Sequence, residues 1–224
     1  MEVRAFSLED FDLLEVERSG GMSQIRMAKL IATGESCALK HSSGYSADDS
    51  ATASFRREVD ALGGMEHPNI VRMMGIGSDG TERFIVLEWL DETLADRINS
   101  MGPMRWDTFY ELVGRPLLTG IQYAHSRAYI HRDLKPQNVM FNRIGVPKIT
   151  DFGISRNIAD VRLGQTFAHA GSHPWTPAEA DDGIESERRD LYSWGALCVA
   201  CLTGNLDFKL TAHLRVSVSL VEIV

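Results

Sequence analysis

The stretch His131-Arg132-Asp133-Leu134-Lys135-Pro136-Gln137-Asn138 is followed, after twelve further residues, by Asp151-Phe152-Gly153. It places two carboxylates, two carboxamides and one lysine within a short span of chain. Carboxylate and carboxamide oxygens are ligands that suit Mg²⁺, and a further carboxylate can accept the proton of an attacking hydroxyl. The pattern therefore predicts a site that combines metal ligands with a proton acceptor.

The order and spacing of these residues resemble the catalytic and magnesium-binding loops of eukaryotic-type Ser/Thr protein kinases. The resemblance implies that Asp133 orients the attacking hydroxyl and that Lys135 neutralises charge on the transferred phosphoryl group. It also implies that Asn138 and Asp151 hold Mg²⁺. A lysine two residues after Asp133 is typical of the Ser/Thr branch. The implied activity is transfer of the γ-phosphate of Mg-ATP to a Ser or Thr hydroxyl of a protein substrate.

A second motif supplies the phosphate contacts that the family requires. Cys37-Ala38-Leu39-Lys40 resembles the Val-Ala-Ile-Lys strand. This implies that Ala38 lines the nucleotide pocket and that Lys40 contacts the α- and β-phosphates. Glu58 lies eighteen residues downstream, on a segment with apolar residues at helical spacing. We therefore expect an ion pair between Lys40 and Glu58.

The region before this strand resembles the glycine-rich loop of the family only in part. Gly20 and Gly21 are assigned to nucleotide binding, but Arg18 and Ser23 stand where the first and third glycines would be. Glycine lets the backbone approach a phosphate closely, and a side chain restricts that approach. We therefore expect weakened ATP affinity. The Gly-Gly-Met run is similar to loops of bacterial members, and Ile25 is placed above the adenine.

The adenine pocket follows from the same resemblance. Residues 84–90 are similar to the strand that leads into the hinge between the two lobes. By this correspondence Leu87 is the gatekeeper, and backbone groups of Glu88 and Leu90 bond the adenine edge. Met140 closes the pocket from the opposite side, as a flexible thioether can.

Patterning along the chain predicts an α+β fold with two lobes. Residues 11–40 alternate short apolar runs with turn signals, which indicates paired strands. Residues 53–65 have the apolar spacing of one amphipathic helix. Residues 42–54 are interpreted as a loop before that helix, and residues 77–80 as a turn between strands. From about residue 107 onward the pattern is mainly helical.

The predicted kinase domain spans residues 11–224. Its N-lobe, about residues 11–90, is an antiparallel sheet plus one helix. Its C-lobe, residues 91–224, is mainly helical and is expected to lack the last helices of the family. Pro116 lies inside a helix drawn over residues 107–127, and we expect it to kink that helix because proline removes a backbone donor.

The activation and substrate regions match the family less closely. Arg132 in the catalytic loop is typical of kinases controlled by loop phosphorylation, and Thr166 is the candidate phosphorylation site. Gly171-Ser172 resembles a substrate-orienting pair. Residues 175–179 resemble the motif Tyr-x-Ala-Pro-Glu with proline and alanine exchanged. Asp190 is expected to bond the backbone of the catalytic loop.

Bulk properties argue against several classes of partner. The formal net charge of −8 disfavours nucleic acid, because a phosphate backbone selects basic surfaces. No window approaches the roughly 20 apolar residues that a membrane span needs. The N-terminus has no signal-peptide pattern, and three cysteines give no paired framework, so we expect a cytoplasmic location. Cys198 and Cys201 are interpreted as core residues of a buried helix.

Two alternative functions stay open. The altered glycine-rich loop and the exchanged Pro177-Ala178 are compatible with a pseudokinase-like module that binds nucleotide without transferring phosphate. A small-molecule phosphotransferase of kinase-like fold is the third hypothesis, although Lys135 and Pro136 are protein-kinase features. The apolar helix near Asp190 is expected to expose apolar surface. We therefore predict self-association, or a partner that covers the C-lobe.

Overall fold

A computed structural model describes residues 4–20, 23–42, 50–80, 82–154, 156–157, 174–177 and 186–207. Those residues form a sheet with one packed helix, followed by a mainly helical unit. The predicted α+β, two-lobe architecture is confirmed. Within the described ranges, no helix is both long and apolar enough to cross a bilayer.

The N-lobe is built on a six-stranded sheet. Its strands are β1 (Ala5–Phe6), β2 (Phe11–Gly20), β3 (Ser23–Leu30), β4 (Ser36–Ser42), β5 (Met73–Asp79) and β6 (Glu82–Glu88). They are arranged in the order β1-β5-β6-β4-β3-β2. Because alternate side chains of a strand point to one face, apolar residues of β3, β4 and β6 meet in a cluster with β1. This cluster contains Phe6, Phe11, Ala28, Leu30, Cys37, Leu39, Phe84 and Val86.

Two boundaries in the sheet differ from the predictions. The sheet begins before the predicted N-lobe start at residue 11, because β1 pairs in parallel with β5. The predicted turn at residues 77–80 lies later, since Gly77 belongs to β5 and pairs with Phe84. The chain reverses at Gly80, whose φ is 57°. A Cβ on Gly77 would collide with the Phe84 ring, so this glycine serves close packing within a strand.

Helix α1 (Ser50–Gly63) packs against the opposite face of the sheet and buries Glu58, Ala61 and Leu62. The predicted helix is confirmed, but it begins three residues earlier than residue 53. The interpretation of residues 42–54 as a loop is therefore wrong for residues 50–54. Serine and threonine are modest helix formers, but the Ser54 hydroxyl donates to the Gly153 carbonyl at 3.0 Å, and this tertiary contact ties the start of the helix to the fold.

The helices of the C-lobe are α2 (Leu94–Met101), α3 (Trp106–Phe109), α4 (Arg115–Ser126) and α5 (Arg188–Thr203). A π-helical turn, Tyr110–Gly114, joins α3 to α4. The kink that the sequence predicts at Pro116 corresponds to this π-helical turn, which interrupts the helix predicted over residues 107–127. Proline lacks an N–H and its ring crowds the carbonyl four residues earlier, and a π-turn relieves the crowding by widening the helix. Pro116 itself is the second residue of α4, directly after the π-helical turn.

Short strands flank the two motif segments, residues 131–138 and 151–153. They are β7 (Glu92–Thr93), β8 (Tyr129–Ile130), β9 (Val139–Phe141), β10 (Pro147–Ile149) and β11 (Arg156–Asn157). Strands β7, β9 and β10 form one sheet, and β8 pairs with β11. Residues 131–138 lie between β8 and β9, and Asp151 follows β10. The antiparallel pairing of β9 with β10 therefore brings the two halves of the motif together.

Helix α5 is better covered than the sequence predicts. Its apolar side chains are buried or half-buried, and the large exposed apolar residues of the described chain lie on other elements. Trp194 packs against Phe109 with ring centroids 6.4 Å apart and donates its indole N–H to the Gly114 carbonyl at 2.9 Å. The expectation of exposed apolar surface on this helix is therefore wrong, because α3 and the π-helical turn cover it.

The two cysteines of α5 belong to the core of the C-lobe. Cys198 and Cys201 are free thiols among buried apolar residues. Burial raises the pKa of each thiol to about 12. Burial, with the charge of Glu35 adding to it, also raises the pKa of Cys37 to about 11. The prediction that this pair is structural is confirmed, because buried protonated thiols are poor nucleophiles and poor metal ligands.

We expect the three cysteines of the native protein to resist alkylation by iodoacetamide at pH 8. The raised pKa values lower the thiolate fraction of Cys198 and Cys201 by roughly a thousandfold relative to a free thiol. Mass spectrometry should find unmodified native protein and three alkylated cysteines in protein unfolded with urea. Rapid labelling of the native α5 thiols, or stoichiometric zinc, would contradict the structural role.

Candidate active site

The loop between β8 and β9 holds Asp133 in a network of short contacts. Lys135 Nζ lies 2.6 Å from Asp133 Oδ2. Asn138 Nδ2 donates to the same oxygen at 3.1 Å and to the Asp133 carbonyl at 2.8 Å. Arg132 has a φ of 74°, a conformation that is uncommon outside glycine and concentrated at functional sites. The structure thus brings Asp133, Lys135 and Asn138 together.

Asp190, in the first turn of α5, anchors this loop as the sequence predicts. Its carboxylate accepts the backbone N–H of His131 at 2.8 Å and of Arg132 at 2.9 Å. His125 Nε2 lies 2.8 Å from the same side chain, which is only 1% exposed. Burial by itself raises the pKa of Asp190, but the His125 hydrogen bond and the nearby His131 outweigh it and lower that pKa. The catalytic loop therefore rests on a buried, ionised carboxylate.

We expect Asp190→Ala to destabilise the fold by about 3 kcal/mol, because it leaves buried donors without an acceptor. The pKa of Asp190 is lower in the folded state than the ordinary 3.8. The stabilisation that its carboxylate gives the fold is therefore complete above pH 3.8. It is lost as the pH falls through the folded pKa. Urea unfolding at pH 7 and pH 3 should show a smaller difference from wild type at the lower pH.

The exposed Asp107, which bonds only Arg105 and Thr108, provides the matched control. Asp107→Ala should leave the unfolding midpoint nearly unchanged at both pH values. An Asp190→Ala variant as stable as this control would contradict the anchoring role.

Lys40, on β4, joins charged residues of both lobes. Its Nζ lies 2.8 and 2.6 Å from the two carboxylate oxygens of Glu58, and 2.9 Å from Asp151 Oδ1. The Glu58 side chain is 2% exposed, whereas that of Asp151 is 48% exposed. The expected ion pair between Lys40 and Glu58 is present, and the same ammonium reaches the carboxylate that follows β10.

Electrostatics favour the charged forms of Lys40 and Asp151. Burial by itself lowers the pKa of Lys40, but the carboxylates of Glu58 and Asp151 outweigh it and raise that pKa. Burial by itself raises the pKa of Asp151, but Lys40 outweighs it and lowers that pKa. Burial also raises the pKa of Glu58, so its ionised form depends on the lysine. Asp151 is ionised at neutral pH, which is the state that a metal ligand requires.

The residue after Asp151 fixes the segment in the core. Phe152 is fully buried and meets the His131 ring edge-on, with centroids 4.7 Å apart. His131 Nε2 lies 2.8 Å from the Thr150 carbonyl, so Nε2 carries the proton, and Nδ1 accepts the Asp133 amide at 3.3 Å. Both ring nitrogens are therefore used, as expected of a structural histidine. Asp151 has a φ of 63°, which costs about 1–3 kcal/mol and requires support from its surroundings.

The oxygen ligands at the site suit a magnesium ion. Asn138 Nδ2 is engaged by Asp133, so Asn138 Oδ1 points the other way and is available as a ligand. Asp151 adds an ionised carboxylate. Among the residues that the structure describes, no group of three or more His, Cys, Asp and Glu side chains could hold a metal by itself. The remaining ligands would be phosphate oxygens and water, which is the coordination that Mg²⁺ favours.

Two of the residues assigned to the adenine pocket belong to the same part of the sheet as Lys40. Ile25 pairs with Lys40 across β3 and β4, and Ala38 pairs with Leu87 across β4 and β6. Paired residues share a face of the sheet. Ile25 and Met140 are half-buried and pack against the large core cluster that contains Ala38, Leu87 and Leu90. The strand pairing places Ile25 beside Lys40, and the adenine contacts of Leu90 and Met140 stay predictions.

The hinge contains a charged contact that sequence analysis missed. The Glu88 amide donates to the Arg72 carbonyl at 3.0 Å, so an adenine contact by Glu88 would use its carbonyl. Its carboxylate lies 2.7 Å from Lys148 Nζ and accepts the Arg72 amide at 2.7 Å. Lys148 belongs to β10, so this ion pair ties the hinge to the strand that precedes Asp151. The sequence around Lys148 contains no motif that predicts an ion pair with Glu88.

Several residues that the sequence assigns to the site lie outside the described residues or at their edge. Gly20 pairs with Ser23 across β2 and β3, at the position where the glycine-rich loop is expected. Gly21 lies outside the described residues. The same holds for Thr166, Gly171, Ser172, Ala178 and Glu179.

Comparison with known proteins agrees with this geometry. The family model described as "Protein kinase domain" matches residues 18–221. The chain belongs to this family. The resemblance stated from the catalytic loop is therefore confirmed, and the lysine, glutamate and aspartate triad lies within a kinase domain.

Bacterial Ser/Thr protein kinases are among the similar curated proteins. The probable serine/threonine-protein kinase PknB of Lactococcus lactis is 37% identical over 168 residues, which are 74% of this chain and 27% of that protein. PrkC of Bacillus subtilis is 29% identical over 201 residues, 88% of this chain and 31% of that protein. PknB of Mycobacterium leprae is 32% identical over 206 residues, 88% of this chain and 33% of that protein. The chain thus spans no more than about a third of the length of these relatives.

Proposed function

We propose that this kinase domain transfers the γ-phosphate of ATP to a serine or threonine hydroxyl of a protein. The observation that carries the proposal is the convergence on Lys40 Nζ of Glu58 and Asp151, at 2.6 and 2.9 Å. Residues 111 positions apart in sequence meet there. A lysine held in this way between the lobes is the arrangement that phosphoryl transfer by a kinase requires.

The residues of the catalytic loop have complementary roles in this proposal. The Asp133 carboxylate orients the substrate hydroxyl and accepts its proton as the new oxygen–phosphorus bond forms. The bond between the β- and γ-phosphates breaks, and ADP leaves with the electron pair. Lys135 neutralises negative charge on the phosphoryl group during transfer. The contacts of Asp133 with Lys135 at 2.6 Å and with Asn138 at 3.1 Å hold these groups in position before the substrate arrives.

The nucleotide site has a matching assignment. Lys40 contacts the α- and β-phosphates and Glu58 holds Lys40 in place. Asn138 and Asp151 hold Mg²⁺, which when bound offsets the charge of the phosphates. The remaining nucleotide-binding residues are Gly20, Gly21, Ile25, Ala38, Glu88, Leu90 and Met140. The pairing of Ile25 with Lys40 across β3 and β4 supports the adenine assignment, because it places an apolar side chain beside the phosphate-binding lysine.

The partner and location follow from the chemistry. The partner is a protein with an accessible serine or threonine. The proposed domain of residues 11–224 is extended at its start by β1, which pairs with β5. Relatives named as serine/threonine-protein kinases support this substrate class. A cytoplasmic location suits three free, buried cysteines, because reducing compartments preserve thiols.

Incubation of the purified domain with Mg-ATP and a mixture of generic proteins tests the proposal. Mass spectrometry should detect phosphoserine or phosphothreonine on those proteins or on the domain itself, and chelation of magnesium should abolish it. Parallel reactions with an aminoglycoside and with choline test for a small-molecule phosphotransferase. Nucleotide binding without phosphate incorporation would instead support the pseudokinase-like alternative.

A further inference from the structure

Helix α1 contacts the segment Asp151-Phe152-Gly153 at both of its ends. At one end, Glu58 holds Lys40, which in turn contacts Asp151. At the other end, two side chains of α1 donate to the Gly153 carbonyl: Ser54 Oγ at 3.0 Å and Arg57 Nε at 2.9 Å. The second set of contacts plays no part in the function proposed above.

The spacing of the α1 residues explains how one helix makes both contacts. Residues 54, 57 and 58 are separated by three and four positions and therefore lie on one face of the helix. Two donors on one carbonyl use both of its lone pairs. The approach is also close: a Cβ on Gly153 would lie 2.5 Å from Ser54 Oγ. A side chain at position 153 would therefore force the Ser54 hydroxyl to move.

We infer that Ser54 and Arg57 are positioning residues that hold Asp151 in its metal-binding orientation through the Gly153 carbonyl. The inference rests on the proposed function and extends it to control of the metal site. Asp151 has a positive φ of 63°, a conformation that persists only where surrounding contacts enforce it. Phe152 anchors the middle of the segment in the core, and α1 holds the two flanking residues.

Variants at positions 54 and 57 test the inference, with a matched control on the same helix. The test variants are Ser54→Ala, Arg57→Ala and their combination. Ser54→Thr keeps the hydroxyl, and Arg56→Ala removes the same charge from an exposed neighbour. For each protein we would measure kcat, the KM for ATP, the Mg²⁺ concentration for half-maximal activity, the melting temperature, and hydrogen exchange of peptides covering residues 151–154.

We expect the combined variant to lower kcat roughly tenfold, in line with the loss of two hydrogen bonds, and to raise the Mg²⁺ requirement several-fold. Exchange over residues 151–154 should become faster. Ser54→Thr and Arg56→Ala should behave like wild type. An unchanged Mg²⁺ requirement together with unchanged exchange in the combined variant would overturn the inference, as would equal effects of Arg56→Ala.

The exchange experiment separates this inference from the proposed function. If wild type shows no phosphoryl transfer, the proposed function fails, and exchange over residues 151–154 still decides whether Ser54 and Arg57 restrain the segment. If the combined variant does not fold, Ser54→Ala alone decides, because alanine is the best helix former and removes only the hydroxyl.

Discussion

Asp133→Asn should lower kcat for phosphoryl transfer by about 10²–10⁴-fold, the usual contribution of a positioned general base. Affinity for Mg-ATP should stay within about twofold of wild type, because asparagine keeps the size of the side chain and one oxygen that can accept from Asn138, the proposed metal ligand. The Asp133 carbonyl, which Asn138 also contacts at 2.8 Å, is unaffected. The variant loses the acceptor of the hydroxyl proton and the negative charge that pairs with Lys135.

The measurement is a steady-state phosphorylation assay beside a calorimetric titration with Mg-ATP. Asp107→Asn, an equivalent change at an exposed carboxylate, should leave both quantities unchanged. Full activity of Asp133→Asn would show that this carboxylate is not the proton acceptor. A large loss of affinity would show instead that the loop depends on the charge of Asp133 for its shape.

Asp151→Ala should weaken binding of Mg-ATP by at least roughly tenfold, because it removes an ionised metal ligand. Binding of ATP without Mg²⁺ should change little, or improve, because a negative charge near the phosphates is removed. Lys40 keeps its other partner, Glu58, at 2.6 Å, so the phosphate-binding lysine should stay in place. Titration of nucleotide with and without Mg²⁺ distinguishes the two effects.

The reference for this second prediction is Asp107→Ala, whose nucleotide affinity should equal that of wild type under both conditions. If Asp151→Ala weakened binding equally with and without Mg²⁺, the side chain would act by supporting Lys40 and would not be a metal ligand. Loss of cooperative melting would point to a structural role. The exposure of nearly half of the Asp151 side chain, 48%, argues against that outcome.

Local motifs made much of the site predictable. The eight residues from His131 to Asn138 form one loop, so the distances among Asp133, Lys135 and Asn138 follow from their spacing along the chain. The ion pair of Lys40 with Glu58 was predictable through the resemblance to the kinase family, because a lysine and a glutamate eighteen residues apart carry no such signal on their own. The two-lobe plan followed from the change in periodicity near residue 90.

Other expectations failed where packing outweighed local preference. Helix α1 includes residues 50–54, although serine and threonine there suggested a loop, and the contact of the Ser54 hydroxyl with the Gly153 carbonyl ties this part of the helix to the fold. Gly77 suggested a turn but lies in β5, because its missing side chain makes room for Phe84. In both cases the residue type is compatible with more than one kind of local structure. The side chains that pack against it in the folded protein decide which one forms.

The sequence by itself determined the chemistry of this protein: the residue types, their order, and the short spacings that produce a kinase catalytic loop. Only the tertiary structure decided which distant residues support that chemistry. Lys148 meets Glu88, and Ser54 and Arg57 meet Gly153 across 99 and 96 positions. The physical reason is that such contacts depend on how the helix and the sheets pack, and side-chain spacing within one segment carries no information about its partner.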